Sequence, residues 1–204
     1  MSQNNSNVGI VVLSWNDPKN TIELVDSIFE SDHQHFDVVI VDNNSTQEKF
    51  DTILNDLRKK NYDFQLITGN EKLNLNQIYK KKVFVLRSTE VADYMFAENL
   101  GVSRGYNKGI NFVIKNNYDY VVKLDCDFII SKNLISGMIK TFDQRDNVIA
   151  VSPKVYYYKN NKTKIIWWKG VNFNKNYFRF QRTGIGANRK EIDNGQFSGV
   201  TESE

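Results

Sequence analysis

The sequence predicts an α/β fold of three layers, in which helices cover both faces of a mostly parallel central sheet. Two short apolar runs, Val8–Leu13 and Val38–Val41, lack the polar alternation of a half-exposed strand, which is typical of strands buried on both faces. Each run is followed by a polar loop and then by apolar residues at helical spacing. Repeated strand–loop–helix units of this kind indicate a doubly wound parallel sheet.

The first two helices have recognisable starts. Asp17 at the N-cap and Pro18 at the first helical position are typical of a helix that begins after the first strand. Ser45 and Glu48 form a capping-box pattern after the second strand, so we expect Ser45 to cap the second helix. The apolar residues of that helix share one face, and they are Phe50, Ile53, Leu54 and Leu57.

The middle of the chain gives weaker signals. Phe64–Ile67 is a candidate third strand, and Val83–Leu86 is a further short strand. A glycine-containing block, Asn99–Ile110, then leads into a helix that passes through Val113 and ends at Asn116. These elements continue the alternation of strand and helix.

The last predicted elements surround a pair of acids. Tyr120–Leu124 is an apolar strand that delivers Asp125 and Asp127 at its carboxyl end. Ser131 is expected to cap the helix that follows. Val148–Val151 is predicted as a further strand, beyond which aromatic residues lie among basic and polar ones.

Length and composition limit the class of protein. The 204 residues suffice for one domain with a full core. The net charge of +3 and the pI near 8.8 are too weak an excess to indicate a nucleic-acid-binding protein. A single cysteine excludes an internal disulfide and fits a reducing compartment. The chain shows no signal-peptide core and no apolar run near the ~20 residues that span a bilayer, so we expect a cytoplasmic protein.

Asp125 and Asp127 are candidates for a metal site. Alternate residues of an extended chain point to the same side, so both carboxylates would face one way while Cys126 faces the protein. Two oxygen ligands at this spacing can share a divalent cation that takes its other ligands from water and substrate phosphates. The alternative is a strand-end turn with two solvated acids.

Further candidate site residues follow the first two strands. Ligands of open parallel sheets bind beyond the carboxyl ends of the strands, so we expect these residues to lie near the two acids. Neither Gly-x-Gly-x-x-Gly nor a phosphate-binding loop occurs, so a phosphate would need a metal or a basic side chain such as Arg104. The alternative is that Arg104 is a surface residue beside helix-entry glycines. The candidates after the two strands are Ser14, Trp15, Asn16, Asp42 and Asn44.

Five blocks of the chain, in order, resemble the family 2 glycosyltransferases, whose A-type nucleotide-diphospho-sugar transferase fold is a Rossmann-like α/β fold. The fifth block, Ile166–Gly170 followed by Asp193–Phe197, is similar to a segment of their rhamnosyltransferase-like branch. Together the blocks span most of residues 8–197. The first four are Val8–Asn16, Val38–Ser45, Asn99–Ile110 and Leu124–Asp127.

The resemblance implies an inverting, metal-dependent glycosyltransferase of hexosyltransferase type. It would move a sugar from a UDP- or dTDP-sugar to a hydroxyl of a glycan or lipid-linked acceptor, in cell-surface polysaccharide or glycan synthesis. It implies that Asp42 hydrogen-bonds the nucleobase and that Asp125 and Asp127 hold Mg²⁺ or Mn²⁺ against the diphosphate. No nucleic-acid partner is expected, and a lipid-linked acceptor would bring the protein to the inner face of the membrane. The expected substrate-binding residues are Ser14, Trp15, Asn16, Asp42, Asn44, Arg104, Asn107 and Asp125.

The resemblance also sets the expected domain organisation. We expect one glycosyltransferase domain over residues 1–204, with a nucleotide-sugar-binding core at 8–152 and the start of an acceptor-side region at 153–204. The stretch Thr68–Ala92 is longer than the family's usual link and is interpreted as an inserted hairpin. The catalytic base of the family is expected beyond Glu204, so the chain is interpreted as truncated or naturally short.

Two other function classes stay open at this point. One is a nucleotide-sugar-binding module without catalysis. The other is a nucleotidyltransferase, which also uses paired acids and Mg²⁺ on an α/β sheet. Such an enzyme is expected to carry a glycine-rich basic loop after the first strand, and Ser14–Asn20 holds no such loop.

Overall fold

The computed structural model describes residues 6–67, 80–88, 101–145, 147–157, 166–168, 170–174 and 179–183. The chain divides into two units, Met1–Ser136 and Gly137–Glu204. The first unit contains the main sheet and every predicted site residue. The expected single domain, with its internal boundary at residue 152, stays a prediction.

The main sheet has five strands, all of them paired in parallel. This confirms the α/β class and the mostly parallel sheet. The strands are β1 (Val8–Ser14), β2 (Phe36–Asp42), β3 (Phe64–Ile67), β4 (Val83–Arg87) and β5 (Tyr120–Asp125). Their order across the sheet is β3-β4-β2-β1-β5.

The register of the central strands places their carboxyl ends side by side. Ser14 at the end of β1 pairs with Asp42 at the end of β2, and Leu13 pairs with Asp125 at the end of β5. The chain leaves β1 toward β2 on one side, while β5 lies on the other side of β1. The gap between β1 and β5 is therefore the point where ligands bind in doubly wound sheets.

Helix α1 (Pro18–Phe29) covers one face of the sheet and begins as predicted. Asp17 is its N-cap, because the Asp17 carboxylate accepts a hydrogen bond from the backbone N–H of Asn20. Thr21 faces the sheet and is bonded through its hydroxyl to that of Ser14, at 2.7 Å. Even-numbered positions of β1 thus face α1.

Helix α2 (Gln47–Lys59) begins one residue later than the capping-box prediction requires. Its N-cap is Thr46, whose hydroxyl accepts from the backbone N–H of Lys49. The prediction that Ser45 caps this helix is therefore wrong. The Ser45 hydroxyl instead accepts a hydrogen bond from the backbone N–H of Asn16, at 2.8 Å, and so joins the loops that follow β1 and β2.

Helix α3 (Gly101–Lys115) covers the opposite face of the sheet and begins inside the glycine-containing block. It approaches β1 closely because Gly105 and Gly109 lie against the strand side chains. A Cβ at Gly109 would lie 2.4 Å from Val11 Cγ1, and a Cβ at Gly105 would lie 2.5 Å from Leu13 Cδ1. The alternative that these are merely helix-entry glycines is thus wrong for Gly105 and Gly109.

The buried core on the α3 face is continuous from the sheet to the helix. Tyr106 is 3% exposed and belongs to this core. The cluster comprises Val11, Val39, Val41, Ile67, Phe84, Leu86, Tyr106, Phe112, Val113 and Tyr118.

Two further predictions about local structure are wrong. Strand β4 pairs in parallel with both β2 and β3, so it is an internal strand of the main sheet and does not belong to an inserted hairpin. Residues 68–79 and 89–92 of the proposed insertion lie outside the described residues. Ser131 does not cap helix α4 (Leu134–Asp143), because a backbone turn from Ser131 to Leu134 precedes the helix.

The second unit contains short strands. Val148–Val151 is described without strand structure, and Ile149 is 96% exposed, so the predicted strand is wrong. An apolar run forms a strand only where a neighbour accepts its hydrogen bonds. Two antiparallel pairs are present, β6 (Val155–Tyr156) with β7 (Ile166–Trp168), and β8 (Gly170–Asn174) with β9 (Arg179–Thr183). Among the described helices, none has the length and hydropathy that a membrane crossing requires.

Candidate active site

A cavity of about 340 Å³ lies at the carboxyl ends of β1, β2 and β5, beside the start of α3. The strand order reverses at this position, and ligands of doubly wound sheets bind there. The sequence predicted the substrate-binding site at the same strand ends. Three predicted site residues line it: Trp15, Asp125 and Asp127. The other lining residues are Leu13, Asp17, Asn43, Gly101, Val102 and Cys126.

Asp125 is held through one carboxylate oxygen. The hydroxyl of Tyr106, on α3, donates a short hydrogen bond to Asp125 Oδ1. The Lys123 ammonium lies 3.8 Å from the same oxygen and 4.0 Å from the centroid of the Tyr106 ring. The side chain of Asp125 is half exposed, so the hydrogen bond and the ion pair fix a group that solvent would otherwise leave free to rotate.

Tyr106 acts as a hydrogen-bond donor throughout the physiological pH range. Burial raises the pKa of its phenol, and the hydrogen bond to Asp125 and the negative charge of Asp125 raise it further. The negative charge of Asp127 contributes in the same direction, which shows that both acids lie close to this ring. The phenol therefore stays protonated next to the carboxylate.

Asp127 lies in a turn that directly follows β5. The strand ends at Asp125, and the backbone N–H of Phe128 donates to the carbonyl of Asp125, at 3.2 Å. The strand alternation on which the prediction relied therefore stops before Asp127. The turn of the alternative interpretation is thus present, while the metal-site interpretation stays a prediction for two acids that line the same cavity.

Cys126, which lies between the two acids in the sequence, is half-buried. It lines the cavity together with them, whereas the prediction placed it facing the protein interior. Burial raises the pKa of its thiol, and the charges of Asp17 and Asp127 raise it further, against a lowering by a hydrogen bond with Thr21. The thiol thus stays protonated at neutral pH.

The loop after β1 is fixed by hydrogen bonds to the loop after β2. Asn16 has a φ of 54°, a left-handed conformation that asparagine adopts more readily than most residues. Its side-chain oxygen accepts from the backbone N–H of Thr46, while its own N–H donates to Ser45. Ser14 is fully buried, and Trp15 is 44% exposed at the cavity. Ser14 and Asn16 therefore position the loop that presents Trp15.

Asp42 is fully buried at the end of β2, next to the cavity-lining Asn43. Its Oδ2 accepts from the backbone N–H of Ser45 at 3.3 Å and lies 3.6 Å from Arg87 Nε. Burial raises the pKa of the carboxyl, while hydrogen bonds from Ser45 and the charge of Arg87 act in the opposite direction. The hydrogen bonds and the ion pair of Asp42 thus only partly compensate for the burial of its carboxyl group.

Three buried polar atoms at the ends of β2 and β4 have no hydrogen-bond partner within the part of the chain that the structure describes. They are Asp42 Oδ1, Arg87 Nε and Ser88 Oγ. The Arg87 guanidinium lies 4.2 Å from the centroid of the Phe50 ring, which fixes its plane. Buried polar atoms are rarely left unpaired without a functional reason.

The remaining predicted residues lie away from the cavity lining. Arg104 and Asn107 are exposed on α3, and Asn44 is partly buried with a φ of 64°. Their roles in substrate binding stay predictions. Tyr106, Lys123 and Arg87 were not predicted, because a buried tyrosine on a helix and basic residues on strands carry no motif of their own.

The acids fit a hard divalent cation such as Mg²⁺ or Mn²⁺, given their oxygen-only donor set. Asp17 is already engaged, because Asn20 donates to both of its carboxylate oxygens. In the described ranges, no group of three or more His, Cys, Asp or Glu side chains is arranged to hold a metal ion. A cation here would therefore take one or two carboxylates and complete its shell with substrate phosphates and water.

Comparison with known proteins identifies the family. A sequence model described as Glycosyl transferase family 2 matches residues 9–192. No curated protein sequence matches the chain.

The solved structures that match the chain are distant in sequence. They include the 1–349 fragment of TarS from S. aureus, at 18% identity with a TM-score of 0.46, covering 68% of this chain and 32% of the other. Another is the mannosyltransferase PcManGT from Pyrobaculum calidifontis in complex with GDP-Man and Mn²⁺, at 16% identity with a TM-score of 0.48, covering 67% of this chain and 32% of the other. The chain thus spans about a third of the length of these structures.

The family model extends over β1, β2, the α3 block and the Asp125–Asp127 turn, which together form the cavity and its surroundings. By this match over most of its length, the chain belongs to glycosyl transferase family 2.

Proposed function

We propose that the protein is an inverting glycosyltransferase of the rhamnosyltransferase-like branch. It transfers a hexosyl group from a UDP- or dTDP-sugar to a hydroxyl of a glycan or lipid-linked acceptor, and it depends on Mg²⁺ or Mn²⁺. The products belong to cell-surface polysaccharide or glycan synthesis. A lipid-linked acceptor would place the reaction at the inner face of the cell membrane.

The observation that carries the proposal is the position of Asp125 and Asp127. Both acids line one cavity at the reversal point of a doubly wound sheet, in a chain of glycosyl transferase family 2. A cavity with negative charge is a poor site for a diphosphate alone, because like charges repel. The same cavity suits a diphosphate that arrives with a divalent cation.

Asp125 and Asp127 are the side chains that would hold the cation in this proposal. When bound, the cation neutralises the charge that develops on the leaving diphosphate. Asp127 is exposed at the cavity, and Asp125 accepts a hydrogen bond from Tyr106 at Oδ1, with none present at Oδ2 among the described residues. Trp15 contributes an aromatic side chain to the lining of the same cavity.

Asp42 and Arg87 support a pyrimidine nucleotide. Within the described residues, the atoms of this ion pair that lack a hydrogen-bond partner are an acceptor, Asp42 Oδ1, and a donor, Arg87 Nε. An adjacent N–H and carbonyl, as in the imide edge of uracil or thymine, complement such a pair. Because Asp42 is fully buried, base binding at this point requires the covering side chains to move. Guanine carries the same N–H and carbonyl pair with an added amino group and a larger ring system, so GDP is a useful comparison ligand.

The proposal is tested by calorimetric titration of UDP, dTDP and GDP into the protein, first with Mn²⁺ and then with EDTA. We expect UDP or dTDP to bind with Mn²⁺, to bind much more weakly with EDTA, and to bind more tightly than GDP. If no nucleoside diphosphate binds to the folded protein under either condition, the donor site is wrongly placed.

A second assay separates an enzyme from a binding module. The protein is incubated with UDP- and dTDP-sugars and with lipid-linked or glycan acceptors, and nucleotide release is measured. Acceptor-dependent release of UDP or dTDP supports the transferase. Metal-dependent nucleotide binding without any release would favour a nucleotide-sugar-binding module.

A further inference from the structure

We propose that Tyr106 is a positioning residue for the donor site, which it serves by fixing the Asp125 carboxylate in the orientation that receives the cation and diphosphate. This inference rests on the proposed function, since it assigns a task to a residue within the same site. Tyr106 does not line the cavity, and its effect is transmitted through Asp125.

Asp125 needs such a partner because its own surroundings leave it mobile. Its side chain is 51% exposed at the end of β5. The Tyr106 hydroxyl and the Lys123 ammonium both lie at Oδ1. Both contacts occupy Oδ1, and within the described residues no hydrogen bond to Oδ2 is present, so Oδ2 is the atom that a ligand would contact. A side chain that is already ordered loses less conformational freedom when the ligand binds, so binding is tighter.

Tyr106 is well placed to fix another group because it is itself immobile. It is 3% exposed and belongs to the core cluster on the α3 face. Its neighbour Gly105 lets α3 approach Leu13 of β1, so the helix is seated directly on the sheet. The ring is packed in the core and the helix is packed on the sheet, so the hydroxyl is held in a more precise position than it would be on a loop.

The competing explanation is that Tyr106 is only a core residue whose hydroxyl bonds to the nearest acid. The chain offers a matched control for this explanation. Tyr118 belongs to the same core cluster, is 9% exposed, and donates from its hydroxyl to Asp37 Oδ2 at 2.9 Å. Asp37 lies near the amino end of β2, whereas the cavity lies at the carboxyl ends of the strands.

The test compares Tyr106→Phe with Tyr118→Phe, each of which keeps the ring and removes one hydroxyl. Affinity for UDP and dTDP with Mn²⁺ is measured by calorimetry, and stability by urea unfolding. We expect Tyr106→Phe to bind about tenfold more weakly, as for loss of a hydrogen bond to a charged group, and Tyr118→Phe to bind like the wild type. The loss of stability should be larger for Tyr118→Phe, because its hydroxyl bonds to the fully buried Asp37, whereas that of Tyr106 bonds to the half-exposed Asp125.

A double-mutant cycle adds a measurement that a purely structural role would not affect. If Tyr106 acts through Asp125, then adding Tyr106→Phe to Asp125→Asn should cause little further loss of affinity. Should the Tyr106→Phe chain bind as tightly as the wild type, or should the two effects simply add, the inference is overturned while the proposed function stands. If the wild-type chain binds neither UDP nor dTDP, both are overturned.

Discussion

Gly109 lies so close to Val11 that a Cβ added to it would be 2.4 Å from Val11 Cγ1 and 2.8 Å from Val41 Cγ2. The contact joins α3 to two neighbouring strands of the sheet, and those strands are fully buried at these positions. The distance between helix and sheet at this point therefore depends on the absence of a side chain at residue 109.

We expect Gly109→Ala to destabilise the protein by about 1–3 kcal/mol, because the added methyl group overpacks the core. The matched control is Gly137→Ala on α4, where a Cβ would meet nothing within 4 Å. That substitution should stabilise the protein by about 0.4–1 kcal/mol, since alanine restricts the unfolded chain and favours the helix. Urea unfolding of both variants checks the pair. If both substitutions change the free energy of unfolding equally, the close contact at residue 109 does not affect stability.

Asp127→Asn should remove most of the metal-dependent part of nucleotide binding. Loss of a side chain that hydrogen-bonds to a metal ligand commonly lowers the affinity for the metal by about 10–100-fold. Loss of the ligand itself should lower that affinity at least as strongly. The control is Asp63→Asn, which makes the same change at a carboxylate that is 70% exposed before β3, at the amino end of the sheet. Calorimetry with Mn²⁺ and with EDTA measures both. A variant whose affinity for UDP with Mn²⁺ equals that of the wild type would remove Asp127 from the proposed site.

Asp42 should make stability depend on pH. Because burial raises its pKa above the ordinary value of 3.8, the folded protein keeps this proton at pH values where the unfolded chain has lost it. The contribution of Asp42 to the free energy of unfolding therefore falls as pH rises above that value. Asp42→Asn does not titrate, so its stability relative to the wild type should increase as pH rises above 3.8.

Urea unfolding across that pH range measures the Asp42 effect, with Asp63→Asn as the exposed control. The same Asp42→Asn variant should bind UDP and dTDP more weakly at neutral pH, because the amide has one acceptor oxygen where the carboxylate has two, and one of these already accepts from Ser45. A gain in stability with a loss of binding is the usual signature of a site that is maintained for function. If the stability difference between variant and wild type does not change with pH, burial does not raise the pKa of Asp42.

Ser45 and Thr46 provide a prediction about the loops at the cavity. Ser45→Ala leaves the backbone N–H of Asn16 without its acceptor and should loosen the loop that carries Trp15. Thr46→Ala removes the side-chain cap of α2 instead, at a cost of about 0.5–2 kcal/mol. We expect Ser45→Ala to weaken nucleotide binding and Thr46→Ala to lower stability with binding retained. Calorimetry measures nucleotide affinity and urea unfolding measures stability. If both variants lose affinity and stability to the same extent, the two side chains do not have the separate roles described here.

Much of the fold could be predicted because buried parallel strands have a plain signature. β1 and β2 are uninterrupted apolar runs, and their ends are marked by polar residues such as Asp42. The order of the strands could not be predicted, because β4 resembles any short apolar run and only its pairing shows that it lies between β2 and β3. Val148–Val151 has the same local pattern without forming a strand in the structure.

The site was predictable in so far as its residues lie at strand ends. Trp15, Asp125 and Asp127 were identified because chain direction alone places them at the cavity. Tyr106 and Arg87 contact acids on elements that are distant from them in sequence. The residues beside them in the sequence carry no pattern that predicts those contacts. Ser45 shows the related difficulty, since a capping pattern cannot reveal that the hydroxyl is used by another loop.

The order of the strands has a consequence for biosynthesis. β3 leaves the ribosome before β4, yet within the described sheet its neighbour is β4, which in turn pairs with β2. The nascent β3 therefore has no backbone partner until Arg87 has emerged and β4 has docked. During that interval its unpaired edge is exposed to other chains, and an exposed edge is a template for aggregation. The speed of translation through residues 68–87 should thus influence the yield of folded protein.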